Sequence, residues 1–65
     1  MSHYVIQRTD QGGGYLAFPG SHHAYTHRLQ HARPFKNFEE AQAECCPENE
    51  RVVYVIKGRD FGHDP

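Results

Sequence analysis

The 65-residue sequence predicts one small α+β domain, with a single helix packed on one face of a three-stranded antiparallel sheet. Three observations predict it: two short strand-like runs around a glycine turn, one capped amphipathic helix, and a valine-rich run after that helix. The element order is therefore β-β-α-β, and we expect the last strand to pair beside the first, in the middle of the sheet. With 37% hydrophobic residues, a chain of this size excludes a two-domain enzyme or a deep, walled active site.

The first two strands are expected on either side of a turn. Tyr4–Thr9 is rich in β-branched and aromatic residues, and Tyr15–Phe18 is a second short apolar run. Asp10–Gly14 lies between them and contains three consecutive glycines, which tolerate the positive φ angles of tight turns. A β-hairpin is predicted. Binding of a phosphate by this turn is the weaker alternative, because the Lys-Ser/Thr of a P-loop is missing.

Residues 21–34 form a polar segment between the hairpin and the helix. Tyr25, Leu29 and Ala32 follow one another at spacings of four and three, which is typical of one or two helical turns with an apolar side. An irregular crossing with one short turn fits the same residues.

The segment from Asn37 to Cys46 has the clearest helical pattern. Asn37 is a favourable N-cap with Glu40 three positions later, and Phe38, Ala41 and Cys45 form a narrow apolar stripe. Pro47 disfavours helical geometry at the preceding residue and ends the helix.

The strongest predicted strand is Arg51–Lys57, an apolar run of valine, tyrosine and isoleucine. A continuous run of this kind indicates a strand covered at least partly on both faces. Gly58 ends it, so we expect the domain to span residues 1–58 and residues 59–65 to form a flexible tail.

Charge and cysteine content indicate a compartment but no partner. The net charge is −1, with +3 over residues 1–38 and −4 over residues 39–65, and six histidines make the charge sensitive to mildly acidic pH. Cys45 and Cys46 are adjacent and the chain has no other cysteine, so a disulfide framework is not expected and a reducing cytoplasm fits best. No apolar run reaches the length of a membrane span, and no secretory signal pattern occurs at the N-terminus.

Two patterns in the polar segment carry potential chemistry. His23, His27 and His31 are spaced four apart, and on a continuous helix they would share a face suited to zinc or nickel. Residues 25–36 combine cations with aromatic residues, a composition used for single-stranded nucleic acids. The simpler interpretation of both patterns is a solvated surface with Phe35 in the core.

A catalytic role for the cysteines is not expected. Cys45 belongs to the apolar stripe, and the C-terminal end of a helix disfavours a thiolate. Without a combination of acid, base and nucleophile, the sequence predicts no enzyme and no cofactor.

The spacing of several motifs resembles that of a recurrent type of small phage and prophage protein, over nearly the whole chain. The resemblance is carried by Tyr4-Val5-Ile6, Thr9-Asp10, Gly14-Tyr15-Leu16, Tyr25-Thr26, Leu29, Ala32-Arg33, Phe35, Glu39-Glu40-Ala41 and Glu50-Arg51-Val52-Val53. It implies a small α+β protein in the cytoplasm of an infected bacterium, in a class rich in host-takeover and anti-defence factors. It implies no catalytic residue.

These observations together predict a non-enzymatic module that binds a host macromolecule, most plausibly a protein, and that acts as an inhibitor or anti-defence factor. The expected contact residues are Tyr25, His27, Arg28, His31, Arg33 and Lys36. Nucleic-acid binding through residues 25–36, a zinc or nickel site at the histidines, and capture of a nucleotide ligand are the alternatives. A homodimer is also expected, because a small sheet leaves open edges.

Overall fold

The structure, a computed structural model, describes residues 2–56 and 59–60. The elements follow in the order β1 (Ser2–Arg8), β2 (Tyr15–Leu16), β3 (Tyr25–Thr26), a 3-10 turn (Leu29–His31), α1 (Phe38–Glu44), β4 (Glu50–Ile56) and β5 (Arg59–Asp60). The strands form one antiparallel sheet in the order β3-β2-β1-β4-β5. The small α+β class is as predicted, whereas the sheet contains the short strands β3 and β5 in addition to the three that were expected.

The centre of the sheet is the pairing of β1 with β4. Its register runs from Ser2 opposite Ile56 to Arg8 opposite Glu50, so both seven-residue strands are paired along their whole length. The prediction that the valine-rich strand lies beside the first strand is confirmed. β4 is an interior strand because β5 pairs on its other side.

The glycine-rich segment is the turn of the predicted β1–β2 hairpin. Gly12, Gly13 and Gly14 all have positive φ angles, and the N–H of Gly13 donates to the carbonyl of Asp10 at 2.9 Å. The Arg8 guanidinium donates to the Asp10 carboxylate at 2.7 Å. The turn is therefore closed by its own hydrogen bonds and carries a carboxylate, which argues against the phosphate-binding alternative.

The polar segment contains β3 and the 3-10 turn, and the helical alternative for it is not formed. Leu16 pairs with Tyr25, which places the Tyr25 side chain on the same face of the sheet as Leu16. Leu29 and Ala32 instead pack on the opposite face. The spacing of four and three therefore does not describe one side of a helix, and the irregular crossing with one short turn is the better description.

The helix α1 begins where the cap was predicted. The Asn37 side-chain oxygen accepts a hydrogen bond from the Glu40 N–H at 2.8 Å. Ala41 is fully buried and Cys45 is half-buried, but Phe38 is 38% exposed, with its ring in a T-shaped contact with Tyr4 at 5.9 Å. The buried part of the apolar stripe is thus shorter than predicted, because Phe38 keeps more than a third of its surface in solvent.

The core has two layers, one on each face of the sheet. Val5, Val53 and Val55 lie on one face, where Ala32 and Leu29 cover them.

Neighbouring positions on the same strands point the other way and form the second layer. Ile6 and Val52 pack there with Phe35 and with Ala41 of α1. The expectation that the valine-rich strand is covered on both faces is confirmed, with the helix on one side and the crossing segment on the other.

The C-terminal residues extend the sheet beyond the predicted domain end. Arg59 pairs with Ile56 and Asp60 pairs with Val55, so these two residues belong to β5 rather than to a tail. The rest of the expected tail, residues 61–65, lies outside the described residues.

Candidate binding surface

A groove lies between the β2–β3 loop and the 3-10 turn. We call it the histidine groove, and its principal residues are Phe18, His22, His23, His27, Gln30 and His31. Its volume is about 540 Å³, within the range of small-molecule and peptide side-chain sites. Of the expected contact residues, the groove contains His27 and His31 and the partly buried Tyr25.

The β2–β3 connection forms one wall of this groove. The N–H of Ala17 donates to the carbonyl of Ala24 at 2.9 Å, which continues the β2–β3 pairing into the loop. Gly20 has a φ of +85°, and the N–H of Ser21 donates to the carbonyl of Phe18 at 3.1 Å. The Pro-Gly sequence thus forms a turn directly after Phe18, and 51% of the Phe18 surface remains exposed.

Phe18 is the functional candidate that sequence reasoning missed. The sequence assigned it to the second strand, whereas β2 ends at Leu16. It borders the histidine groove and a second groove of about 200 Å³ that is lined partly by His3 and Leu29. The signal in the sequence was its position before Pro19-Gly20, where the chain turns away from the sheet.

Tyr25 connects three parts of the fold and is not an exposed contact residue. Its hydroxyl donates to the Glu50 carboxylate, and the Arg8 guanidinium lies 4.7 Å from the centre of its ring. The other Glu50 oxygen accepts the Cys46 N–H at 2.8 Å. The hydrogen bond to Glu50, followed by burial and by the Glu50 charge, raises the pKa of Tyr25 from 10.0 to about 12. The phenol therefore stays protonated and holds β3 against the start of β4.

The basic segment is divided by the fold rather than presented as one patch. His27, Arg28 and Lys36 are exposed, but Arg33 is half-buried, stacked over Phe35 at 4.7 Å. The Arg33 guanidinium also lies 3.9 Å from the Glu44 carboxylate.

The aromatic residues of this segment are not placed for base stacking. Phe35 is 6% exposed and belongs to the core, and the Tyr25 hydroxyl is bound to Glu50. The nucleic-acid alternative thus lacks the stacking platforms on which it depended.

The proposed metal set His23, His27 and His31 does not share a helical face. His23 lies in the β2–β3 loop, His27 follows β3, and His31 ends the 3-10 turn. Among residues 2–56 and 59–60, no three His, Cys, Asp or Glu side chains converge on a position that could hold a metal ion. The spacing of four was therefore misleading, because it requires a helix that does not form.

The adjacent cysteines differ in their surroundings. Cys45 is half-buried beside the helix-face core, and Cys46 is exposed. Burial raises the pKa of the Cys45 thiol, and the charges of Glu50 and Cys46 raise it further. A thiol with a raised pKa is a poor nucleophile at neutral pH.

We found no match to this chain among protein-family models, curated proteins or solved structures. Within the part of the chain that the structure describes, no helix has the length and apolar character needed to cross a membrane.

Proposed function

We propose that this protein is a non-enzymatic binding module that contacts a partner protein through Phe18 and the histidine groove. The observation that carries the proposal is the exposure of Phe18 at the junction of two grooves. Aromatic residues beside concave surfaces supply much of the binding energy of protein interfaces, and phenylalanine is enriched there.

The surroundings of Phe18 support recognition rather than chemistry. Besides Phe18 and Tyr25, the groove wall consists of imidazoles, a glutamine, an alanine and the hydroxyl-bearing Ser21 and Thr26. This composition resembles the polar rim that surrounds an apolar anchor in protein interfaces. The resemblance of the sequence to small phage and prophage proteins supports a bacterial host protein as the partner, with inhibition or anti-defence as the effect of binding.

Affinity capture from a bacterial lysate tests this proposal when wild-type protein is compared with two matched variants. Phe18→Ser removes the ring at the groove, and Phe38→Ser removes the other large exposed apolar side chain of the described residues, which lies on α1. Circular dichroism and thermal melting first establish that both variants are folded. We expect mass spectrometry to identify a protein that wild type and Phe38→Ser retain and Phe18→Ser loses.

Two results would overturn the proposal. Equal recovery of the same proteins by Phe18→Ser would place the interface elsewhere. If the wild-type protein captured no specific protein from the lysate, the proposal of a bacterial partner protein would be wrong.

A further inference from the structure

The histidine groove has an unusual charge composition. His22, His23, His27 and His31 line it, and over the described residues no Asp, Glu, Lys or Arg is among its lining groups. The four histidines are exposed, and the rings of His22 and His23 meet edge to face with centroids 4.9 Å apart. Among the described residues, the titratable side chains of the groove are therefore these four imidazoles and the Tyr25 phenol.

Two carboxylates of the described residues lie in an adjoining groove and have partners. His23 also borders that groove, together with Arg33, Glu44 and Glu50. Glu44 lies 3.9 Å from Arg33, and Glu50 accepts hydrogen bonds from the Tyr25 hydroxyl and from a backbone N–H of the turn after α1. These acids therefore do not occupy the groove that the imidazoles line.

Two further charged or titratable groups flank the groove. Arg28 is exposed between His27 and the 3-10 turn and adds positive charge nearby. His3 lies on the other side of Phe18, in the second groove. Arg28 therefore favours an anionic occupant, whereas His3 lines the second groove and not the histidine groove.

We infer that the histidine groove binds an acidic segment of a partner protein, with Asp or Glu side chains beside an apolar residue, and that binding strengthens as the pH falls through the range in which imidazoles gain protons. The inference rests on the proposed function, because the apolar residue is the one that contacts Phe18. Charge complementarity carries it: protonated imidazoles without competing acids suit carboxylates. Within the described residues no three ligating side chains converge on a position for a metal ion, so the groove is not assigned one.

Fluorescence anisotropy with a labelled set of synthetic peptides tests the inference. In each peptide glutamates flank one Phe or Leu, and a matched set carries lysines in place of the glutamates. We expect the acidic set to bind about tenfold more tightly at about pH 5.5 than at about pH 7.5, because each exposed charge pair contributes roughly threefold and two new pairs form. The lysine set is expected not to bind.

Variants assign the effect to the groove. His27→Gln combined with His31→Gln removes two imidazoles from its wall and is expected to abolish most of the pH dependence. His3→Gln removes one imidazole from outside the groove, and we expect it to retain the wild-type profile. A single-stranded oligonucleotide serves as a second polyanion.

The outcomes separate this inference from the proposed function. If Phe18-dependent capture of a protein succeeds but affinity for the acidic peptides is absent or independent of pH, the inference fails and the proposed function stands. Tighter binding of the oligonucleotide than of the acidic peptides overturns the inference in favour of a nucleic acid. If His3→Gln lost as much pH dependence as the variant with both His27→Gln and His31→Gln, the inference would also be overturned. The pH dependence would then come from the overall charge of the protein and not from the histidine groove.

Discussion

Replacing Tyr25 with phenylalanine tests the connection between β3 and β4. The substitution keeps the ring and its contact with Arg8 but removes the hydroxyl that donates to Glu50. A hydrogen bond to a charged group contributes about 1.5–3 kcal/mol. Tyr25 and Glu50 are both half-buried, so water competes for the hydrogen bond between them. We therefore expect Tyr25→Phe to lower the free energy of unfolding by the lower end of that range, about 1.5 kcal/mol.

The raised pKa of Tyr25 sets an upper limit on the contribution of the same interaction. A change from 10.0 to about 12 corresponds to at most about 2.7 kcal/mol, since each pKa unit equals about 1.36 kcal/mol. Because the folded-state pKa is above the unfolded value, this stabilisation is complete below about pH 10 and is lost as the pH rises through about 12. The free energies of unfolding of wild type and Tyr25→Phe should therefore converge over that interval.

Urea denaturation at neutral pH and at increasing alkaline pH measures both effects. In a chain of this size, a loss of 1.5 kcal/mol should also lower the melting temperature by roughly 6–12 °C. Tyr54→Phe is the matched control, because it removes a hydroxyl from another half-buried tyrosine on the same face of the sheet, and we expect a smaller loss. A loss below about 0.5 kcal/mol in Tyr25→Phe, or a difference from wild type that stays constant above pH 10, would refute the reasoning.

Three further predictions concern the turn, the helix cap and the cysteines. Gly14→Ala should destabilise the fold by about 2 kcal/mol and Gly12→Ala by about 1 kcal/mol in urea melts, because both have positive φ and the φ of +109° at Gly14 lies further from the left-handed minimum at about +57° than the +88° at Gly12. Equal losses would contradict this. Asn37→Ala should cost about 1 kcal/mol and Asn37→Asp much less, since Asp retains the capping oxygen; similar melts for the two would refute it. Iodoacetamide should label Cys46 faster than Cys45, as peptide mapping would reveal, and the reverse order would contradict the burial of Cys45.

Local signals predicted most of the regular elements. The hairpin turn follows from consecutive glycines, and the start of α1 follows from Asn37 and Glu40. The pairing of β1 with β4 follows from their apolar character, because two such strands bury most when they are neighbours.

The candidate site was predicted only in part. His27 and His31 lie in the groove as expected contacts, while Tyr25 and Arg33 are engaged by Glu50 and Glu44. A helical spacing of four does not describe histidines that lie in a loop, after a strand and at the end of a 3-10 turn. Their proximity results from the chain path.

The amino-acid sequence alone determined the α+β class, the glycine turn, the capped helix and the valine-rich strand, since each depends on interactions between residues close together in the chain. Tertiary structure decided the two-layered core, the exposure of Phe18 and the engagement of Tyr25 by Glu50. These features depend on contacts between residues distant in sequence. A two-residue strand such as β3 gains its hydrogen bonds only when β2 is already in place, so no local pattern in the sequence could reveal it.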